Sequence, residues 1–467
     1  MRDWLPEDDL AWLVIDAVAQ VDLGAFRRSY RADGQGRAAF DPAMMVGLLL
    51  YAYCNGVRSS RQLERRCVRD VGFRVICGGL RPDHVTIARF RSRHAAALET
   101  VFTEVLRLCA EAGMVDLAVL AIDGTKVAAD ASWAANRTAE QIDAELAKAQ
   151  PNQPGTDQPA GSGTAGSGTA GSGGGVLRAA SAAMIADAAA VDAAEDARFG
   201  DARGDELPEP LRTRSGRVER LTRARDRLAA VQAAREQAQA KKLTDWQHRR
   251  DTPGLRPGRK PSEHPPGGSA HSGSALRANV TDPDARIMKA KHTLLTGYNA
   301  LAVVTRNQVI VGSHVCQDQT DRNLLHPTLD ITRGQLAAAG VDLQAELGRH
   351  EPTVLCDAGF VTEAAFTQAR TDKIRLLAPA PKARNGQPAD LSNRPETARG
   401  QRRLRHPRGQ RDYALRAQTV EPVFGQLKTR QTITRFSCRS LDATTAEWHL
   451  ASAAHNLLKL HTHRHGS

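Results

Sequence analysis

The spacing of apolar residues changes along this chain, and the changes mark out its parts. Leu10, Leu13, Val14, Ala17, Val18 and Val21 recur at helical spacing, which predicts an opening amphipathic helix. A second helix is signed at both ends: Asp41 as cap, Pro42 at the first position, apolar residues through Tyr53, then Asn55-Gly56 as the stop. Ser59 with Gln62 three residues on has the form of a capping box and opens a helix bearing Arg61, Arg65, Arg66 and Arg69. After Pro82-Asp83, one helix is expected from residue 84 to about residue 112, closed by Gly113. Residues 1–115 therefore read as an all-helical amino-terminal domain.

The pattern then shifts to short apolar runs bounded by turn residues. Residues 117–127, LAVLAIDGTKV, read as a buried strand in which Asp123 is followed at once by glycine, and residues 116–130 are assigned to it. Residues 131–275 interrupt the sheet. They hold helical patterns over 139–149, 177–198 and 217–250, the last with a thin stripe of Val218, Leu221, Leu228 and Val231. A Gly/Ser/Thr/Ala repeat over 151–175 lacks the apolar residues to build a core and reads as a spacer, and 251–275 reads as a second linker. The sheet resumes in residues 276–467. Runs over 292–305 and 308–315, joined by Arg306-Asn307, predict an antiparallel hairpin. A helix over 324–339, a strand that ends in Asp357, a helix near 363–370 and a strand over 374–377 follow. Glu421 stands at an expected helix start. Residues 440–460 close the chain as an amphipathic helix whose Leu441, Trp448, Leu450, Leu457 and Leu460 read as core.

This order gives the fold expectation: α/β, an RNase H-like mixed sheet split by a helical insertion and preceded by an all-helical domain. A carboxylate on a core strand is costly unless paired, hydrogen-bonded or bound to metal. Alone, Asp123 reads as a strand-end aspartate that satisfies backbone amides. Asp357 repeats the arrangement on a second apolar strand, PTVLCDAGF, and Glu421 adds a third carboxylate. Two strand aspartates and a helix glutamate suit a pair of hard divalent cations about 4 Å apart, which can stabilise both oxygens of an in-line phosphoryl displacement.

Composition agrees with a polyanionic partner. Lys and Arg number 64 against 52 Asp and Glu, a formal charge of +12. Aromatic residues are only 4%, which argues against base-stacking platforms and favours phosphate contacts and groove insertion. In the first domain the stretch HVTIARFRSRH places Thr86, Arg89, Phe90 and Arg93 on neighbouring faces, suited to a helix-turn-helix reader with flanking arginines such as Arg61 on phosphates. The segment from 72 to 82 is longer than the usual turn of that motif, and a basic helical face is also simply solvated. Residues 399–411 hold six arginines and no acid, which reads either as a disordered basic loop or as a phosphate clamp that includes Arg402 and Arg403. The seven cysteines show no metal-ligand rhythm. Neither a signal-peptide pattern nor a run of about 18 apolar residues occurs, so an intracellular protein with no membrane partner is expected.

Several stretches resemble the bacterial insertion-sequence transposases of the DDE class, in the branch with an amino-terminal helical domain. In the first domain they are DPAMMVGLLLYAYCNGVRSSRQLERR and PDHVTIARFRSRH; in the second, AIDGTKVAADAS, TDPDARIMKAKHTLLTGYNA, VLCDAGF and TVEPVFGQLK. The resemblance implies that Asp123, Asp357 and Glu421 are the catalytic, metal-binding triad, served by two Mg²⁺ ions with Mn²⁺ as a substitute. It also implies a tyrosine, arginine, glutamate, lysine signature, matched by Tyr413, Arg416, Glu421 and Lys428. Arg416 departs from the family spacing by one residue, with Ala417 at the expected place. Lys428 lies seven residues after Glu421, about two helical turns and on the same face. The implied partners are double-stranded DNA, as the element's terminal inverted repeats and as target, and a second copy as a homodimer on paired ends. The implied location is the cytoplasm, with the nucleoid. His292, Asn299 and Asp318 fall in family-like stretches and read as core or hairpin polar contacts. Two further readings stand beside transposition: a DNA-binding relic or regulator, and a nuclease without strand transfer.

Overall fold

The computed structural model describes residues 2–28, 40–149, 213–254, 258–263, 276–290, 293–341, 351–380 and 390–466. The expected helix over 177–198, the Gly/Ser repeat and His292 lie outside them. Met1–Arg137 together with Arg277–Ser467 form one compact unit, and Thr138–Leu276 form another.

The first unit is α/β, with an amino-terminal helical region and a mixed sheet. Its strands are β1 (Val119–Ala128), β2 (Asn136–Arg137), β3 (Ala278–Asn279), β4 (Arg286–Ala290), β5 (Thr293–Thr305), β6 (Ile310–Cys316), β7 (Thr353–Leu355) and β8 (Arg375–Leu377). The main sheet runs β4-β5-β1-β7-β8, with β6 also paired to β5, while β2 and β3 form a small ladder of their own. The β5–β6 pair is the hairpin expected from sequence. β1 is antiparallel to β5 and parallel to β7, which is parallel to β8. The stretch from Tyr298 to Thr305 is wholly buried, as expected of a central strand covered on both faces.

Helix signals held at most ends. Asp41 caps Pro42–Cys54 by accepting from Ala43 N, and Gly56 follows with φ +69°. Ser59 does stand at the cap of Ser60–Arg69, but its side chain makes no capping bond. The helix expected from residue 84 to about 112 is two, His84–Arg93 and Ala95–Glu111. The break is at His94, a buried ring packed 5.3 Å from Phe26 and 4.5 Å from Phe90 between centroids. The arginine-rich stretch over 399–411 is not a loop: it falls in Pro395–Arg405 and Pro407–Ala414, each with proline in its first turn. The closing helix Leu441–His465 is buried nearly all round rather than amphipathic, since Thr444, Ser452, His455 and Asn456 are buried along with its apolar residues.

The amino-terminal helices, expected as a domain of their own, share one apolar core with the sheet. Polar bonds join them to the closing helix. Buried Glu447 accepts from Tyr53 Oη at 3.2 Å, Arg58 Nη1 at 2.9 Å, Ser437 N at 2.7 Å and Cys438 Sγ at 3.1 Å. Arg91 Nη1 bonds the Arg58 carbonyl and Nη2 reaches Ser437 Oγ.

In the second unit, Ala139–Ala149 packs against the 38-residue helix Arg214–Asp251. Arg217 pairs with Glu145 and Arg225 with Asp143, an antiparallel order. Ile142, Leu221, Ala224 and Leu228 are the buried seam. Among the described residues no helix is long and apolar enough to cross a membrane.

Candidate active site

Asp123 sits at the centre of β1 rather than at its end. Leu120, Ala121 and Ile122 before it are buried, and the ladder with β5 continues past Gly124 to Ala128. The Asp-Gly pair had marked a strand end in the sequence. Here glycine stays extended within the strand, and the side chain it lacks leaves room for polar neighbours.

β7 ends at Leu355, which stands beside Ala121 in the parallel register. Beyond that ladder the Asp357 carboxylate lies near enough to Asp123 to act on its charge. Asp357 is just beyond its strand and caps a short 3-10 turn, its Oδ1 accepting from Gly359 N at 2.7 Å. Asp123 Oδ1 likewise accepts from Gly124 N, at 2.9 Å. Both aspartates thus do the backbone work expected of strand-end aspartates while standing near each other.

The third carboxylate is tied to the first by an arginine. Arg416 Nη2 donates to Asp123 Oδ2 at 2.6 Å, and Nη1 donates to Glu421 Oε1 at 3.1 Å. Burial pushes the Asp123 carboxyl up to about 6; the Arg416 guanidinium and the Gly124 N–H pull against it, and the Asp357 and Asp321 carboxylates add to the rise. Burial wins here although the pair is short, because little of either side chain meets water: 14% of Arg416 and 20% of Asp123.

Glu421 was expected at a helix start. It is the sixth residue of Arg416–Thr429, so Arg416 belongs to the helix, and Pro422 lies inside it. Proline removes the bond that Gln418's carbonyl would receive. That carbonyl accepts instead from Gln308 Nε2, at 2.8 Å, reached from the β5–β6 turn where Gln308 has φ +61°. Val420, Val423, Phe424 and Leu427 bury the helix's inner face, leaving Glu421 on its exposed side. Arg416's one-residue departure from the family spacing is no obstacle to its contact with Glu421. Tyr413, on the preceding helix, donates to the Cys356 carbonyl at 3.3 Å, next to Asp357. Burial raises its phenol, with Arg416 opposing and Cys356, Asp357 and Asp123 adding to the rise.

The structure thus gathers Asp123, Asp357, Tyr413, Arg416 and Glu421. Lys428 is in the last turn of the Glu421 helix. Arg402 and Arg403 are exposed on Pro395–Arg405, where Arg403 lines a shallow cleft with Arg370, Arg399 and Glu396. Arg61 is exposed on Ser60–Arg69, and Arg89 and Arg93 on His84–Arg93. Thr86 is engaged locally: its N and Oγ1 both donate to Asp83 at the helix cap. Asn299 is a buried contact, as expected.

One residue near the site was not singled out from the sequence. Asp321, beyond β6, accepts from Lys126 Nζ at 3.0 Å and from Asn299 Nδ2 at 2.7 Å. It follows no strand pattern, and only the fold brings it to β1.

Among the described residues no three His, Cys, Asp or Glu side chains are gathered closely enough to hold one metal ion. The donor chemistry nonetheless fits a hard cation. The groups are carboxylate oxygens, and a guanidinium already bridges two of them.

Two protein families match the chain. Residues 1–93 match the Transposase domain (DUF772), and residues 382–461 match the Transposase DDE domain. The chain therefore carries a transposase domain at each end. Both matches are to transposase domains, consistent with an insertion-sequence transposase of the DDE class. No curated protein and no solved structure matches it.

Proposed function

We propose that this chain binds the ends of an insertion sequence, cuts the DNA there and joins the ends to target DNA, all at the site around Asp123. The observation that carries this is the nearness of Asp123, within β1, to Asp357, just past the end of the parallel neighbour β7, with Glu421 linked to Asp123 through one guanidinium. The strand order supports an RNase H-like fold, with an antiparallel hairpin on one side of β1 and two parallel strands on the other.

Asp123, Asp357 and Glu421 would hold Mg²⁺, with Mn²⁺ as a substitute. Bound there, such ions supply the Lewis acidity that phosphoryl displacement needs at both the entering and the leaving oxygen. The protein's own part is positioning. Arg416 holds Asp123 and Glu421 in a fixed relation and has the planar fork that suits a phosphate. Tyr413 braces the turn that carries Asp357 through the Cys356 carbonyl. Lys428, Arg402 and Arg403 neutralise the DNA backbone, while the helices bearing Arg61, Thr86, Arg89 and Arg93 recognise the element's ends. Cleavage and joining are both phosphoryl displacements, so one site serves both. Two copies would pair two ends, in the cytoplasm with the nucleoid.

The test is to incubate the full chain and Mg²⁺ with duplex carrying the inverted repeats that flank its gene, plus a plasmid target. Cut ends and joined products are expected. Binding without cutting would favour the relic, and cutting without joined products the simple nuclease.

A further inference from the structure

Lys126 and Asn299 face each other across the β1–β5 ladder, three residues along from Asp123. Asp321 Oδ1 accepts from both of them. A Cβ at Gly124 would stand 2.9 Å from Asp321 Oδ1 and 3.1 Å from Asn299 Oδ1, so the glycine next to Asp123 is what admits this carboxylate. The pair is well covered, Lys126 at 13% and Asp321 at 19% side-chain exposure. Asn299 Oδ1 is buried without a hydrogen-bond partner. A buried ion pair is a poor source of stability in itself, since desolvating two charges offsets most of their attraction.

We infer that Asp321 and Lys126 tune the cation affinity of the Asp123 site with opposite signs. Side chains three apart on an extended strand leave opposite faces, so Lys126 and Asp321 meet on the face of β1 away from Asp123. The Asp321 carboxylate, set against Gly124, adds negative potential there that draws a divalent ion in. Lys126 limits that potential. This rests on the proposed function, in which Asp123 holds the metal.

The experiment is calorimetric titration of Mn²⁺, without DNA, into the full chain and its D321N, K126Q, D321N/K126Q and D123N variants at fixed pH and salt. Thermal melts in chelator accompany it. D321N keeps the shape of the side chain but leaves the Lys126 ammonium without its carboxylate, so its melt falls below that of the parent while Mn²⁺ binds several-fold more weakly. K126Q binds Mn²⁺ several-fold more tightly, and the double variant lies between. A merely structural pair would weaken binding in both single variants, and that result overturns the inference. If D321N fails to fold, the sign of the K126Q change decides alone. D123N separates the two levels of argument. If D123N loses Mn²⁺ while D321N and K126Q bind like the parent, only this inference falls; if D123N binds Mn²⁺ as the parent does, the site assignment itself falls.

Discussion

Arg416 bridges Asp123 and Glu421, at 2.6 Å and 3.1 Å, although Asp123 lies 293 positions before it in the chain. A guanidinium between two carboxylates that are proposed metal ligands makes arginine and metal alternative partners for the same oxygens. Arg416→Ala should therefore destabilise the metal-free protein by about 2–3 kcal/mol, below the cost of breaking a fully buried pair because the Glu421 end is exposed. Mn²⁺ should restore part of that loss. Melts with chelator and with Mn²⁺ check it; an equal loss in both would mean that the two cations do not share the site.

Glu447 is the buried junction between the amino-terminal helices and the closing helix, accepting from Tyr53, Arg58, Ser437 and Cys438. Glu447→Ala leaves Arg58, Tyr53, Ser437 and Cys438 without this acceptor. A loss of about 3–5 kcal/mol is expected in urea unfolding, with Glu447→Gln milder. A change below about 1 kcal/mol would show that the junction contributes little.

His449 and His455, on the closing helix, are both pulled down to about 4, chiefly by burial. Bonds to the Ser313 and Gln308 carbonyls oppose the fall. His314 adds to it at His449, and Lys459 and Arg430 at His455. An unfolded histidine titrates near 6.5, so between about 6.5 and 4 the unfolded chain binds more protons. Stability should be intact above about pH 6.5 and fall as pH drops toward about 4, by up to about 3 kcal/mol per histidine. Unfolding of His455→Gln across that range should show a shallower slope than the parent. Equal slopes would contradict the burial argument for His455.

Because the amino-terminal helices share a core with the sheet, their DNA contacts are best tested in the full chain. Arg89→Ala or Arg93→Ala should each flatten the plot of log K against log salt by about 0.9 if the side chain touches a phosphate. Binding titrations from low to moderate salt read the slope directly, and an unchanged slope removes that arginine from the interface.

Much of this was legible because local chemistry and fold agreed. The Asp41-Pro42 start, the β5–β6 hairpin and the strand of Asp123 all announce themselves through caps, turns and period. What misled was local chemistry overruled by packing. Asp-Gly looked like a strand end, yet Gly124 is needed inside β1 to admit Asp321. Glu421 looked like a helix start, yet the helix begins at Arg416 with Pro422 inside it, and Gln308 from a distant hairpin donates to the Gln418 carbonyl that proline leaves without a donor. The break at His94 arises from ring packing against Phe26 and Phe90, which no window around His94 contains in full. Asp321 had no pattern at all, because its partners Lys126 and Asn299 lie far away along the chain.

The central claim is that Asp123, Asp357 and Glu421 act together in DNA cutting. The most direct measurement is Mg²⁺-dependent cleavage of an end-bearing duplex by Asp123→Asn, Asp357→Asn and Glu421→Gln, with duplex binding measured alongside. Each variant should lose at least about a hundredfold in cleavage rate while binding the duplex nearly as well as the parent. Any one of the three that still cuts at a rate comparable to the parent would contradict the account.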